Sequence, residues 1–167
     1  LSMQQRGVGL QGEEKTLFNQ ASEQLAELST QFSNHVLDAT QAWSLVLHDR
    51  DQVAGLPQRA LDSLAAAAKD AGDLHHDGSE ASGERGPWRL GLDMPRYIPF
   101  LTHANNRGLR ETVYRAHVGR ASSGELDNSP LIEKILSLRA EQAQRLGYAH
   151  WADLSLASKM ADNVEAV

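Results

Sequence analysis

Four groups of residues in this chain have types and spacings that invite chemistry. Gly7-Val8-Gly9-Leu10-Gln11-Gly12 matches the letters G-x-G-x-x-G of a dinucleotide-binding turn. That turn works only when a buried strand feeds it and a helix N-terminus receives the pyrophosphate. Ser2-Met3-Gln4-Gln5-Arg6 is no such strand, so the glycines read as a flexible approach to a first helix. His75-His76-Asp77 offers metal-ligand side chains in succession, but adjacent residues of a regular element point apart, and a Gly-rich loop lacks the groups that orient imidazoles. The other histidines are His35, His48, His103, His117 and His150, and no two are three or four residues apart. No helix therefore presents a two-histidine face to zinc. Arg107, Arg110, Arg115 and Arg120 make one segment basic, yet Glu111 lies among them and the four do not share a helical stripe. A solvated face is the better reading.

There is no cysteine, so neither disulfides nor thiolate metal sites can form. No G-x-S-x-G elbow or phosphate-binding loop occurs. Carboxylates are plentiful, but acid–base pairs depend on distances in space. No catalytic, cofactor-binding or metal-binding residue is assigned.

The elements that would position any such groups are mostly helical. Leu17, Phe18, Ala21, Leu25, Leu28, Phe32 and Val36 recur at steps of three and four, which predicts a helix from Glu13 to Leu37 with one apolar stripe. A short polar joint is expected next. Trp43, Leu45 and Leu47 then alternate with polar or smaller neighbours, as do Trp88, Leu90 and Leu92, and each run predicts a strand. An alanine-rich helix from Gln58 to Lys69 separates them. Two short strands are marginal unless helices cover them. Residues 71–86, rich in Gly, Ser, Asp and Glu, lack apolar periodicity and are expected to form a mobile loop. Pro95 and Pro99 open a further helical region. Ser129-Pro130 reads as a helix start with Ser as cap, Gly147 as its stop, and a last helix is expected over Ala149 to Met160.

The 167 residues suit one domain or part of a larger one, long enough to bury roughly 70% of the unfolded surface. Aromatics, at 5%, are thin for a self-sufficient core. The net charge of −6, without a basic block, argues against nucleic acid or an anionic membrane as main partner. No apolar run approaches membrane-spanning length, and a cytoplasmic location is expected. The chain begins at Leu1 and stops soon after Asn163 has offered a helix cap, so it is expected to be cut from a longer sequence.

Three runs are more idiosyncratic than amphipathicity would select. They are RGVGLQGEE from Arg6 to Glu14, LSTQFSNHVLDATQAWSL from Leu28 to Leu45, and LSLASKMAD from Leu154 to Asp162. In identity, order and spacing they resemble the N-terminal half of the oligopeptidase A and thimet oligopeptidase family of zinc metallopeptidases. The likeness extends over the Trp88 strand, the Pro95 to Arg120 region and Leu138 to Met160. It implies a mainly α fold, a helical segment with a small pair of short β-strands, within a larger helical peptidase whose deep channel admits short peptides. In the family, zinc is held far downstream by a His-Glu-x-x-His helix and a later glutamate, residues with no counterpart here. Residues 1–167 are accordingly expected to be a single N-terminal-side helical region that contributes scaffold and channel wall to a zinc-dependent oligopeptidase. Such a segment binds no zinc and hydrolyses nothing alone. The alternative is a stand-alone helical module that binds peptides or a protein without catalysis.

Overall fold

The computed structural model describes residues 5–161 and 163–167. Within that range the chain is mainly helical, with one two-stranded antiparallel sheet, as expected. Residues 2–4 of the segment before the glycine turn, and Asp162, lie outside the described residues. The chain divides into two compact units: one takes the residues up to Asn34 and from Asp127 onward, the other is His35–Leu126. Among the described residues, no helix is long and apolar enough to cross a membrane.

The first helix, α1, runs Gly12–Ala42 and contributes residues to both units. Glu13 and Glu14 sit in its first turn, where the positive end of the helix dipole favours them. The expected stop at Leu37 does not occur. No Gly or Pro lies between Gly12 and Gly55, and the hydroxyls of the polar stretch bond back into the helix. Thr40 Oγ1 donates to the Val36 carbonyl at 2.6 Å, as Thr30 does to Ala26 and Ser33 to Ser29 at 2.9 Å each. Hydroxyls satisfied in this way leave the backbone ladder intact.

In the unit built from both ends of the chain, α1 meets the Ser129–Arg145 helix. Ala21, Leu28, Ile135 and Leu138 form the shared apolar cluster, flanked by Leu25 and Leu131. Two buried polar side chains are satisfied across the same contact. Gln142 Nε2 donates to Ser22 Oγ at 2.8 Å, and Asn128 Nδ2 donates to the Phe32 carbonyl at 3.1 Å. Asn128, not Ser129, occupies the cap position, with Pro130 in the first turn. Gly147, at φ +81°, ends the helix as expected, and the Tyr148 N–H closes onto the Ala143 carbonyl at 2.9 Å. The last α-helix is Trp151–Leu156, shorter than the expected Ala149 to Met160; it is capped by the His150 N–H donating to Asp153 Oδ2 at 3.0 Å. Asn163 caps a single 3-10 turn, Val164–Ala166, through a 2.9 Å bond from the Ala166 N–H.

The other unit contains the sheet. Strands β1, Ser44–Leu47, and β2, Trp88–Gly91, pair antiparallel with Ser44 opposite Gly91, Leu45 opposite Leu90, and Leu47 opposite Trp88. Trp43 and Trp88 therefore lie near opposite ends of the ladder. The apolar alternants share one face with period two and feed a core that includes Leu61 and Leu64 of the Gln58–Asp70 helix. Phe100, from the Met94–His103 helix, and Val113, from the Arg107–Val118 helix (α4 below), join them fully buried. Asn106 caps α4 by accepting from the Leu109 N–H at 3.0 Å. Residues 71–86 carry two isolated bridges, Leu74 with Glu80 and Ser82 with Gly86, joined by tight turns. Gly55 is held at φ +93°, where an added Cβ would come within 2.2 Å of the His103 carbonyl oxygen.

Candidate functional surfaces

The glycine motif is a turn, not a phosphate cradle. Gly7 takes φ +68° beside the Phe18 ring, and its carbonyl accepts from Lys15 Nζ at 2.7 Å. Lys15 is spent on that carbonyl, and the described residues ahead of the turn form no strand that could feed a nucleotide-binding loop.

The histidine corner belongs to the His35–Leu126 unit. His75 and His76 are set edge to face with ring centroids 5.6 Å apart, so they do not converge on one point. His48 joins them unexpectedly, its ring 4.8 Å from that of His76. The 27 intervening positions offered no local signal for this pairing. Asp77 is held by Arg85 at 2.7 Å, while its approach to His75 Nδ1 at 3.2 Å is not a hydrogen bond. Asp77 is pushed below the usual carboxylate range, first by Ser79 hydrogen bonds and then by Arg85. Nearby, Asp73 and Arg89 form a two-bond pair at 2.6 and 2.7 Å, with Arg89 also donating to Ser44 Oγ at 2.5 Å. That pairing lowers the Asp73 carboxyl and raises the Arg89 guanidinium.

Zinc, which the resemblance implies, finds no fitting donor set here. Among the described residues no three His, Asp or Glu side chains are grouped so as to hold a metal ion.

The arginine run divides. Arg115 pairs with Glu111 at 2.8 Å on the surface, and Arg110 donates to the Ala104 carbonyl. Arg120 lies beyond the end of α4 and is half-buried. Its Nη1 donates to Thr40 Oγ1 at 3.1 Å, a contact across 80 residues of sequence. Beside it His117 stacks on Tyr97, with centroids 4.0 Å apart and planes inclined by 16°. Burial pushes His117 down, and Arg120 pushes it further. Burial likewise pushes Tyr97 up.

Two clefts merit chemical attention. The first, about 320 Å³, lies between α1 and the Ser129–Arg145 helix and is lined by Phe32, Ile132, Ile135 and Leu136, with Arg139 at its edge. The second, about 440 Å³, is lined by Ala39, Trp43, Leu92, Ala116 and Arg120, with Glu125 also on its lining. Neither brings together a nucleophile, a base and an orienting group, which is what a reaction centre needs.

Comparison with known proteins places these features in a lineage. Residues 100–167 match the model of peptidase family M3. Organellar oligopeptidase A, chloroplastic/mitochondrial, of Arabidopsis thaliana is 46% identical over 155 residues, which are 93% of this chain and 19% of the relative. Oligopeptidase A of Salmonella typhimurium is 41% identical over 96% of this chain and 23% of its own length. Dipeptidyl carboxypeptidase of Escherichia coli is 27% identical over 96% of this chain. The chain thus spans about a fifth of the length of the curated relatives it matches. An alignment that runs almost end to end at such identity is no chance likeness: this chain is similar to one segment of the oligopeptidases A, and its residues 100–167 carry the match to peptidase family M3.

Proposed function

We propose that this chain is one part of a zinc-dependent oligopeptidase that hydrolyses short peptides, and that its role there is scaffold and channel wall. The observation that carries the reading is the 46% identity to an oligopeptidase A across 93% of the chain, which covers only 19% of that relative. Several of the chain's side chains support a structural role: Asp73 and Arg89, and the amide of Gln142 with Ser22, are spent on fold contacts. The metal and the residues that use it belong to parts of the parent that this chain does not contain. A wall of packed helices, rather than a flexible surface, is what limits entry to short extended peptides. A cytoplasmic parent is our reading, supported by a relative named as a probable cytosolic oligopeptidase A, while another relative is named for organelles.

The test is expression of the complete reading frame, offered a short peptide and a folded protein with and without chelator. We expect the peptide to be cut, the folded protein to be spared, chelation to abolish cutting and zinc to restore it. Cutting that survives chelation overturns the zinc assignment, and failure to cut any short peptide overturns the function.

A further inference from the structure

We propose that the Arg120 cleft binds the C-terminal carboxylate of a peptide ending in an apolar residue. The inference rests on the reading of the parent as a peptide-handling protein, and it adds a site for which the chain's own residues suffice.

Among the half-buried arginines of the described residues, Arg120 is the one that combines a buried Nε without a hydrogen-bond partner with the lack of a carboxylate within ion-pair distance. Arg89 is neutralised by Asp73 and Arg145 by Glu14, at 2.6 Å each. Arg120 has no carboxylate within ion-pair distance among the described residues. One neutral hydroxyl, that of Thr40, takes one of its N–H groups, and its Nε is buried without a hydrogen-bond partner among the described residues. A guanidinium carries five donors, so most of this one's capacity is unspent. Removing a cation from water without a counter-charge is costly, and a carboxylate meeting the planar fork would offset that cost.

The remainder of the lining says what the carboxylate should be attached to. Trp43, Leu92, Ala39 and Ala116 supply an apolar wall, and a volume of about 440 Å³ falls within the range of small-ligand clefts. One apolar side chain with its terminal carboxylate matches that combination of wall and cation. Glu125 also lines the cleft, is exposed and makes no ion pair with Arg120. It disfavours ligands with a second negative charge and weakens the first.

The experiment titrates the 167-residue chain with acetyl-Ala-Leu bearing a free C-terminus, and separately with the same dipeptide as its C-terminal amide. Nuclear magnetic resonance follows the Trp43 indole, and calorimetry gives the affinity. We expect saturable binding of the acid with a shift of the Trp43 signal, and at least about tenfold weaker binding of the amide. Arg120→Gln should lose binding as the amide does, Arg120→Lys should lose less because charge remains without the fork, and Glu125→Gln should tighten it. Circular dichroism checks that each variant is folded. Equal binding of acid and amide to the unaltered chain, or no saturable binding of the acid, overturns the proposal whatever the variants do. Peptide hydrolysis by the complete protein is a separate readout, so a cleft that binds nothing leaves the peptidase reading standing on its own test.

Discussion

The two units of this chain bury their apolar residues to different depths. In the His35–Leu126 unit, Leu47, Val53, Leu61, Trp88, Leu90, Leu92, Phe100 and Val113 are each at most 1% exposed. In the unit built from both chain ends, the larger apolar side chains Phe18, Leu28, Ile135, Leu138 and Leu154 retain 7–9% exposure, although the small Ala143 is fully buried. The cause is architectural. A strand pair with helices packed on it encloses side chains from several directions, whereas the contact between two helices covers one stripe on each. On the Ser129–Arg145 helix, Ile132 and Leu136 accordingly remain 44% and 58% exposed. Apolar area removed from water is the main source of stability, so the first unit should carry most of the folding free energy available to this chain.

Single truncations give the strongest test of that contrast. Trp88→Ala removes a fully buried indole whose Nε1 donates to the Gly83 carbonyl at 3.3 Å, and should cost about 3–5 kcal/mol. Leu138→Ala, at the thinner contact, should cost less than this, near the low end of about 2–5 kcal/mol for leucine. Denaturant unfolding of both variants checks the order. If Leu138→Ala proves the more damaging, the smaller cluster holds the fold and the comparison is reversed.

Acid sharpens the contrast more gently, because three depressed groups, His117, Asp73 and the exposed Asp77, lie in the sheet-containing unit. His117 has a folded pKa below its ordinary 6.5, so the unfolded chain binds the proton more readily. Its contribution is complete above 6.5 and is lost as the pH falls through the folded value. Asp73, lowered from 3.8 by the Arg89 hydrogen bonds, acts in the same direction at lower pH, and its contribution is lost below 3.8 as its folded pKa is approached. Stability should therefore decline in two steps on acidification. His117→Phe, which keeps a ring against Tyr97, should remove the upper step. Asp73→Asn should shrink the lower step, to which Asp77 and Asp127 also contribute, and cost about 1.5–3 kcal/mol at neutral pH, the range for hydrogen bonds to a charged group. Unfolding measured from pH 8 downwards decides both; an unchanged upper step in His117→Phe assigns it elsewhere.

The smallest expected effect concerns residues 71–86 within the better-buried unit. Two isolated bridges, exposed ion pairs such as Lys69–Glu80 at 2.6 Å, and a few anchors such as Asp73 on Arg89 organise the segment, which carries no helix or extended strand. We propose that it is the most mobile stretch of that unit, and limited proteolysis should nick it first without separating the core. Earlier cutting between Phe18 and Leu37 would mean that α1 opens more readily than the loop.

Much of the architecture was legible in the residues taken one stretch at a time. The apolar steps of α1, the alternation around Trp43 and Trp88, the proline at the start of the Ser129–Arg145 helix and Gly147 at its end are local signals. Backbone preference and side-chain periodicity act over a few residues, so such elements can be read without knowing their neighbours. The polar joint after Leu37 misled for a related reason. Thr40 is an indifferent helix former by type, and only the structure shows that its hydroxyl is satisfied on the Val36 carbonyl within a helix that continues.

What tertiary structure alone decided are the contacts between residues distant in sequence. Periodicity predicts two strands but not that Leu47 faces Trp88, since register depends on which apolar faces meet. His48 beside His76, Arg89 clasped by Asp73 with Ser44, and Arg120 on Thr40 left no trace in local spacing. The same holds for the absence of an acid beside Arg120 among the described residues. A sequence rich in carboxylates gives no reason to expect it, and charge pairing is settled only by distances that folding sets.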